Sequence, residues 1–317
     1  MIFVYLFIFV IACYVLVRSG AILVGAMTVL CRYFRITEYV FSFLLMAFAT
    51  TLPEFFVGIT SGAKGLPVIS LGNVIGSNLV NLSFILGIIA VAAGGIKIEN
   101  KIEKKDTWIS FFIILLPMAL LIDKKISRIE GVLLLAVFGW HVYYLLKSKD
   151  IFQQRVHKLK GELVHSEKLL HSLLFFILGI VFLIASALVV VQSAKLIAME
   201  LYVPLALISL VLIAFGTSLP ELVFGMRAAI AKHEGLSLGN LFGAAVVNST
   251  FILGITAIIS PIQIDNFKII AIGAAFMLVA ALFANIFIAS KNRLSRREGL
   301  ILIVFYIAFL VVEFLVK

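Results

Sequence analysis

The chain has 317 residues, of which 63% are hydrophobic and 13% charged, against roughly 45–50% apolar and about 25% charged in a soluble domain. Its apolar stretches are continuous rather than alternating, which excludes a β-barrel and leaves an all-α polytopic membrane protein. The net charge of +10 sits in Lys and Arg between those stretches, where such residues set orientation; with no arginine-rich arm or interleaved aromatic patch, it points to no nucleic acid, and the partner surface is the lipid bilayer.

Windows of about 20 apolar residues predict ten transmembrane helices, over 2–30, 38–61, 68–93, 107–122, 129–146, 169–199, 203–230, 236–260, 267–289 and 299–316. The first has no charged leading segment and reads as a retained span rather than a cleaved signal. The first and sixth, at about 45 Å, are long enough to tilt strongly or to project beyond the bilayer. The fourth is short. If Cys13 and Cys31 share one helix they lie about 27 Å apart along its axis, too far to pair within the chain.

Residues 147–168 form the largest polar stretch and carry six Lys and Arg. They divide the chain into a first repeat, 1–146, and a second, 169–317. Five is odd, so the second repeat is predicted to be inverted in the membrane relative to the first, a plan common in secondary transporters. With 147–168 in the cytoplasm, about 18 basic residues face that side and about 6 the other. The positive-inside rule then predicts a multi-pass plasma-membrane protein with a cytoplasmic central loop and both termini outside.

Isolated polar residues have simpler readings. Trp108, Trp140, Tyr143 and Tyr144 lie near span ends, as interfacial belt residues do. Arg18 and Lys195, inside the long spans, read as snorkelling side chains. His141, His157, His165, His171 and His233 show no metal-ligand spacing and read as solvated residues near loops or span ends.

Two stretches depart from this pattern. Ala47-Phe48-Ala49-Thr50-Thr51-Leu52-Pro53-Glu54 is followed by Leu71-Gly72-Asn73-Val74-Ile75-Gly76-Ser77-Asn78-Leu79-Val80-Asn81, and the arrangement returns 167 positions later as Ala214-Phe215-Gly216-Thr217-Ser218-Leu219-Pro220-Glu221 and Leu238-Gly239-Asn240-Leu241-Phe242-Gly243-Ala244-Ala245-Val246-Val247-Asn248. Roughly two-fifths of the positions in 46–87 and 213–254 are identical without a gap, the mark of an internal duplication. A second marker, Ser127-Arg128-Ile129-Glu130-Gly131, recurs as Ser295-Arg296-Arg297-Glu298-Gly299.

Each motif sets a carboxylate in an apolar span, which costs about 2.5–3.5 kcal/mol on insertion scales. No Lys or Arg stands at matching places to compensate Glu54 and Glu221, so a bound cation is the economical partner; the competing reading is a protonated glutamate hydrogen-bonded inside the bundle. Thr50, Thr51, Thr217 and Ser218 offer hydroxyls. Pro53 and Pro220 cannot donate to the helix ladder, which predicts that carbonyls about one turn earlier, at Ala49, Gly216 and nearby, lose their partners and that freed carbonyls of Ala47, Thr50, Ala214 and Thr217 can act as ligands. Asn81 and Asn248 add amide oxygens, and Ser77 lies on the same helical face as Asn81. An all-oxygen set with two carboxylates suits Ca²⁺ and also Na⁺; without thiolate or imidazole it does not suit Zn²⁺ or Cu⁺. Gly72, Gly76, Gly239 and Gly243, in G-x-x-x-G spacing, predict close helix packing.

The second motif, Gly216-Thr217-Ser218-Leu219-Pro220-Glu221 with Gly239-Asn240 and Gly243, resembles the α-repeats of the sodium/calcium exchanger family, within the cation/calcium antiporter superfamily, and the likeness covers the whole chain. It implies that Glu54 and Glu221 are central ligands shared by Ca²⁺ and Na⁺, completed by Thr50, Thr51, Thr217 and Ser218. Flanking Na⁺ positions would use Ala47, Ser77, Asn81, Ala214 and the place of Ala244. The long spans 2–30 and 169–199 would slide across the other eight. The chain departs from the family pattern where Ala244 stands opposite Ser77, one hydroxyl short, and at Asn248, where some members carry an acidic residue. The central loop is too short for large regulatory domains.

The sequence therefore predicts a secondary active antiporter exchanging Na⁺ for Ca²⁺ by alternating access, acting as a monomer with no covalent cofactor and no enzymatic activity. An empty pocket with two ionised glutamates carries −2 and crosses an apolar barrier at high cost; one Ca²⁺, two Na⁺ or two protons neutralise it. The same fold driven by H⁺ is the alternative. A passive cation channel does not require inverted duplication, and an intramembrane enzyme would need a nucleophile–base pair or His-Glu metal motif that the spans lack.

Overall fold

The structure, a computed structural model, describes residues 2–33, 46–97, 101–147, 166–230, 232, 234–291 and 293–316. In chain order the helices are α1 (Ile2–Tyr33), α2 (Met46–Thr50), α3 (Leu52–Ala63), α4 (Pro67–Leu79), α5 (Leu86–Ala93), α6 (Lys101–Leu120), α7 (Arg128–Lys147), α8 (Ser166–Glu200), α9 (Leu205–Ile208), α10 (Ala214–Thr217), α11 (Leu219–Ile230), α12 (Glu234–Val247), α13 (Leu253–Ile259), α14 (Phe267–Lys291) and α15 (Arg296–Val316). Four two-residue strands, β1 (Ile96–Lys97), β2 (Lys125–Ile126), β3 (Ile262–Gln263) and β4 (Arg293–Leu294), lie in the connections. Among the described residues, eight helices are long and apolar enough to cross a membrane. The molecule is a mostly helical polytopic membrane protein.

Residues 38–45 of the second predicted span and 148–165 of the central basic stretch lie outside the described residues. The fourth predicted span proves longer than its apolar window. α6 begins at Lys101 and runs for 20 residues before a 3₁₀ turn over Leu121–Asp123, because the charged run ahead of the window is made of good helix formers. α1 and α8 have 32 and 35 residues, about 48 and 52 Å long, and pack along each other. Arg18 and Lys195 are exposed on them, the position of a snorkelling side chain.

The two halves touch through exchanged contacts. β1 pairs with β4 and β2 with β3, each sheet taking one strand from either half. α5 packs on α15, and α13 on α7. Their crossing points are glycines: a Cβ added to Gly87 would lie 2.6 Å from the carbonyl oxygen of Gly299, and one added to Gly254 would lie 2.9 Å from that of Gly131. Backbones approach this closely only where no side chain intervenes.

The Ser-x-x-Glu-Gly marker explains itself in this frame. Ser127 donates its backbone N–H and its hydroxyl to Glu130 Oε2, both at 2.7 Å, and accepts the Glu130 N–H at 3.3 Å. Ser295 and Glu298 repeat the arrangement at 2.7, 2.6 and 3.3 Å. Each is a capping box that starts α7 or α15, and the glycine after it is the residue that meets the other half.

The core lies around α4, α5, α12 and α13, whose residues are mostly buried. π-helical turns over Val80–Ile85 and Asn248–Ile252 join α4 to α5 and α12 to α13 at matching places; such turns re-aim side chains and occur mostly at functional sites. His141 corrects the sequence reading. It is 3% exposed and stacks on Tyr144 at 6.5 Å, because residues on the inward face of α7 are covered by the bundle even near the helix end.

Candidate functional site

Both motifs fold into a broken helix. α2 ends at Thr50, Thr51 takes φ −84° and ψ 4°, and α3 restarts at Leu52 with Pro53 and Glu54 in its first turn. α10 ends at Thr217, Ser218 takes φ −82° and ψ 2°, and α11 restarts at Leu219 with Glu221 in its first turn. Proline is tolerated there because its absent N–H would have had no helical partner, and a helix N-terminus favours a carboxylate.

The expected free carbonyls need correction at two places. The Ala47 carbonyl accepts the Thr51 N–H at 3.2 Å, and the Ala214 carbonyl accepts the Ser218 N–H at 3.1 Å. The break residue stays near helical geometry, so these bonds survive. The donor that proline removes is, as expected, the one to the residue four places earlier, Ala49 or Gly216. Each carbonyl oxygen also has a hydroxyl within reach, Thr50 Oγ1 at 3.3 Å from that of Ala47 and Thr217 Oγ1 at 3.3 Å from that of Ala214, so a cation there would replace a hydroxyl donor rather than fill an unused lone pair.

The packing predicted for the first G-x-x-x-G pair is present: a Cβ on Gly72 would meet Ser209 Oγ at 2.0 Å, and one on Gly76 the Leu210 carbonyl oxygen at 2.0 Å. That approach brings α4 against α10 and joins the motifs. Glu54, Glu221, Ser77, Asn81, Thr217, Ser218 and Asn248 are fully buried, and Thr50 and Thr51 nearly so. Thr217, Ser77 and Ser218 lie beside the Glu54 carboxylate, Thr50 lies beside that of Glu221, and the two carboxylates are within electrostatic reach of each other.

The hydrogen bonds are few for so polar a place. Ser77 donates to Glu54 Oε1 at 3.3 Å. Its hydroxyl also lies 3.5 Å from the Ala214 carbonyl and 3.4 Å from Thr217 Oγ1. Glu54 Oε2, both oxygens of Glu221, Ser218 Oγ, Asn248 Oδ1 and both side-chain polar atoms of Asn81 make no hydrogen bond. Thr51 turns away, donating to the Phe48 carbonyl at 3.1 Å. Buried polar groups are normally paired, so this concentration of bare oxygens is chemically distinctive.

Two asparagines that the sequence reading did not place in the site belong to it. Thr50 donates to Asn240 Oδ1 at 3.2 Å, and Thr217 donates to Asn73 Oδ1 at 3.1 Å. The bonds are exchanged between halves, as in the strand pairs. Each hydroxyl hydrogen is shared between that amide oxygen and the backbone carbonyl three residues earlier, Ala47 or Ala214, at 3.3 Å, and the oxygen keeps its lone pairs for another partner. The signal was visible as Leu-Gly-Asn repeated at the same offset.

Aromatic rings close both flanks. Phe251 meets Phe48 and Phe138 at 5.1 Å and stacks on Phe55 at 5.4 Å. On the other flank Phe84 meets Phe215 at 5.9 Å and Tyr306 at 5.3 Å. α1 covers the second break, with Cys13 Sγ 3.1 Å from where a Cβ on Gly216 would stand. The result is a buried cluster of acceptor oxygens with aromatic side chains packed nearby, a donor set able to hold a hard cation.

Comparison with known proteins places the chain in a family and a fold. The family described as sodium/calcium exchanger protein matches residues 4–147 and again 171–315. The chain is 26% identical to the sodium/calcium exchanger MaX1 of Methanosarcina acetivorans, with 94% of this chain and 95% of the relative covered. It is 27% identical to a putative antiporter, CaxA, of Alkalimonas amylolytica, covering 88% of each. A structure of the sodium-calcium exchanger NCX_Mj soaked with Na⁺ and Sr²⁺ superposes with a TM-score of 0.68 at 25% identity, covering 98% of this chain and 99% of that one.

Proposed function

The chain belongs to the sodium/calcium exchanger protein family, and from that premise we propose that it exchanges Na⁺ for Ca²⁺ by alternating access, in the direction of Ca²⁺ export. Family membership makes it a cation/Ca²⁺ antiporter of the membrane rather than an enzyme. The finer reading rests on one observation above all: Glu54 and Glu221 are fully buried within reach of each other, and neither has a basic partner among the described residues.

Glu54 and Glu221 are the ligands shared by the competing ions. Thr50 and Thr217 add hydroxyls whose hydrogens are directed to Asn240 or the Ala47 carbonyl and to Asn73 or the Ala214 carbonyl. Ser218, Asn81 and Asn248 add bare oxygens, and the carbonyls of Ala47 and Ala214 bound the flanks. Ser77 serves the Glu54 side. Thr51 is a lesser ligand, because its hydroxyl is committed to the Phe48 carbonyl. The empty pocket carries two like charges in an apolar wall and does not reorient; one Ca²⁺ or two Na⁺ neutralise it and permit the switch.

The architecture we propose is two inverted five-helix repeats, 1–146 and 169–317, joined by a cytoplasmic segment 147–168 with both termini outside. Strand pairing supports it: the segments around β1 and β4, both assigned to the cytoplasmic side, meet each other, as do those around β2 and β3 on the outer side. α1 and α8 form a packed pair against the rest and are the elements that would slide.

An H⁺-driven form of the same exchange is favoured by one observation. Ala244 offers Glu221 no hydroxyl, and both Glu221 oxygens are unpartnered, so that carboxylate is free to carry a proton. Radiolabelled calcium uptake into proteoliposomes under separately imposed Na⁺, K⁺ and H⁺ gradients distinguishes the drivers. Uptake that follows only the Na⁺ gradient supports the first reading, and uptake in Na⁺-free buffer under a pH gradient replaces it with the second. Uptake without any counter-ion overturns both.

A further inference from the structure

We propose that Asn78 is a positioning residue that fixes which end of the Asn248 amide serves as a cation ligand; this rests on the reading of Asn248 as part of the cation pocket. Asn78, Asn248 and Ser249 are fully buried. The Asn78 NH₂ lies 3.4 Å from the Ala245 carbonyl oxygen and 2.8 Å from Ser249 Oγ. A carbonyl only accepts, so the nitrogen end of Asn78 faces Ala245 and its Oδ1 faces the other way. That Oδ1 accepts the Asn248 NH₂ at 3.0 Å. Asn248 must therefore present its nitrogen to Asn78, which leaves its Oδ1 buried and without a partner.

The device answers a problem specific to this chain. A carboxylate has two equivalent oxygens, and either can ligate. An amide offers a cation one oxygen or a repelling NH₂, so a neutral residue at position 248 is useful only if its rotation is settled. Asn78 settles it through a carbonyl that cannot switch roles. Asn81, the matching residue of the first repeat, has no such tether: both of its polar atoms are unpartnered, because the place matching Asn78 is held by Ala245. The pocket thus has one amide oriented by hydrogen bonds and one that no hydrogen bond orients.

The experiment is a double-mutant comparison of Ca²⁺ binding by the purified full chain, read by equilibrium binding of radiolabelled calcium and by coupled flux. Asn78→Ala is expected to weaken Ca²⁺ half-saturation about tenfold, the scale of one hydrogen bond to a ligand, while maximal flux falls less. In the Asn248→Asp background, where orientation no longer matters, the same substitution is expected to cost under about twofold. Ser249→Ala removes one of the two acceptors that hold Asn78 and is expected to act in the same direction, again only with Asn248 intact; it carries the comparison if Asn78→Ala does not fold. Equal losses in both backgrounds, or none in either, overturn the proposal. Failure of the exchange reading is separate: it appears as absent counter-ion dependence in the unmutated protein.

Discussion

Ser77 donates its hydroxyl hydrogen to Oε1 of Glu54 at 3.3 Å, whereas its repeat partner Ala244 has no hydroxyl to give Glu221. The pocket is duplicated in backbone but unequal in chemistry. Around Ser77 four oxygens converge, from Ser77, Glu54, Ala214 and Thr217. If that cluster is a monovalent site, Ser77→Ala raises the Na⁺ concentration for half-maximal Ca²⁺ exchange about fivefold, the scale of one hydrogen-bonding oxygen. Ala244→Ser steepens the Na⁺ dependence by adding a matching cluster. Calcium flux at graded Na⁺ measures both, and an unchanged curve for both variants removes the monovalent ion from that flank.

Neutralising one acid at a time separates function from stability. Glu54→Gln and Glu221→Gln are each expected to lower coupled exchange about a hundredfold or more, since an ion left short of a buried charge partner loses roughly 3–5 kcal/mol. Both variants are also expected to melt higher than the parent in cation-free detergent, because two unneutralised buried carboxylates within reach of each other destabilise the fold. Added Ca²⁺ should raise the melting temperature of the parent by linkage and leave either variant nearly unmoved. A parent that melts higher than both variants without cation would mean that the glutamates are structural.

Much of this was legible in the chain because duplication made it so. A lone Glu in an apolar stretch is ambiguous, but Thr50 and Glu54 returning as Thr217 and Glu221 at one offset are not. The Ser-x-x-Glu-Gly marker was legible as a repeat, while its physical role, a cap followed by a backbone crossing, needed the partner glycines Gly87 and Gly254. Asn73 and Asn240 were visible as repeated letters yet not as site residues, since their oxygens serve hydroxyls of the opposite half, a relation with no trace in local spacing. His141 was misread for a similar reason: position along a helix gives depth, whereas burial depends on which face another helix covers. The fate of the Ala47 and Ala214 carbonyls turned on the conformation of Thr51 and Ser218, which residue type does not specify.

The exchanged threonine–asparagine pairs predict a symmetric pair of defects. Thr50→Val and Thr217→Val keep the shape and delete one ligand oxygen each; each also leaves the amide oxygen of Asn240 or Asn73 buried without a donor. Loss of about 1–3 kcal/mol is expected for each orphaned acceptor, together with a weaker Ca²⁺ half-saturation. Replacing the asparagine as well, in Thr217→Val with Asn73→Leu, is expected to recover stability but not Ca²⁺ binding. Thermal unfolding and radiolabelled calcium binding on the two single variants and the double variant check this. Recovery of both together would mean that the hydroxyl is not a ligand.

The approach of α4 to the second break gives the sharpest structural prediction. A Cβ on Gly76 would stand 2.0 Å from the Leu210 carbonyl oxygen and 2.5 Å from the Ala214 Cβ, and neither neighbour is a flexible side-chain tip that can swing aside. Gly76→Ala must therefore push α4 away from the turn that leads into α10, and with it move Ser77 relative to Ala214 and Thr217. Overpacking of this kind costs typically about 1–3 kcal/mol, and a displacement of ligands on the scale of an ångström is enough to disable a site that relies on fixed oxygens. Gly139, on α7, is the control: a Cβ there meets nothing within 4 Å, and Gly139→Ala is expected to stabilise the helix by roughly 0.5–1 kcal/mol. Side-by-side melting curves and Ca²⁺ flux for the two variants test whether close backbone contact, rather than helix propensity, assembles the pocket; equal behaviour of Gly76→Ala and Gly139→Ala would show that it does not.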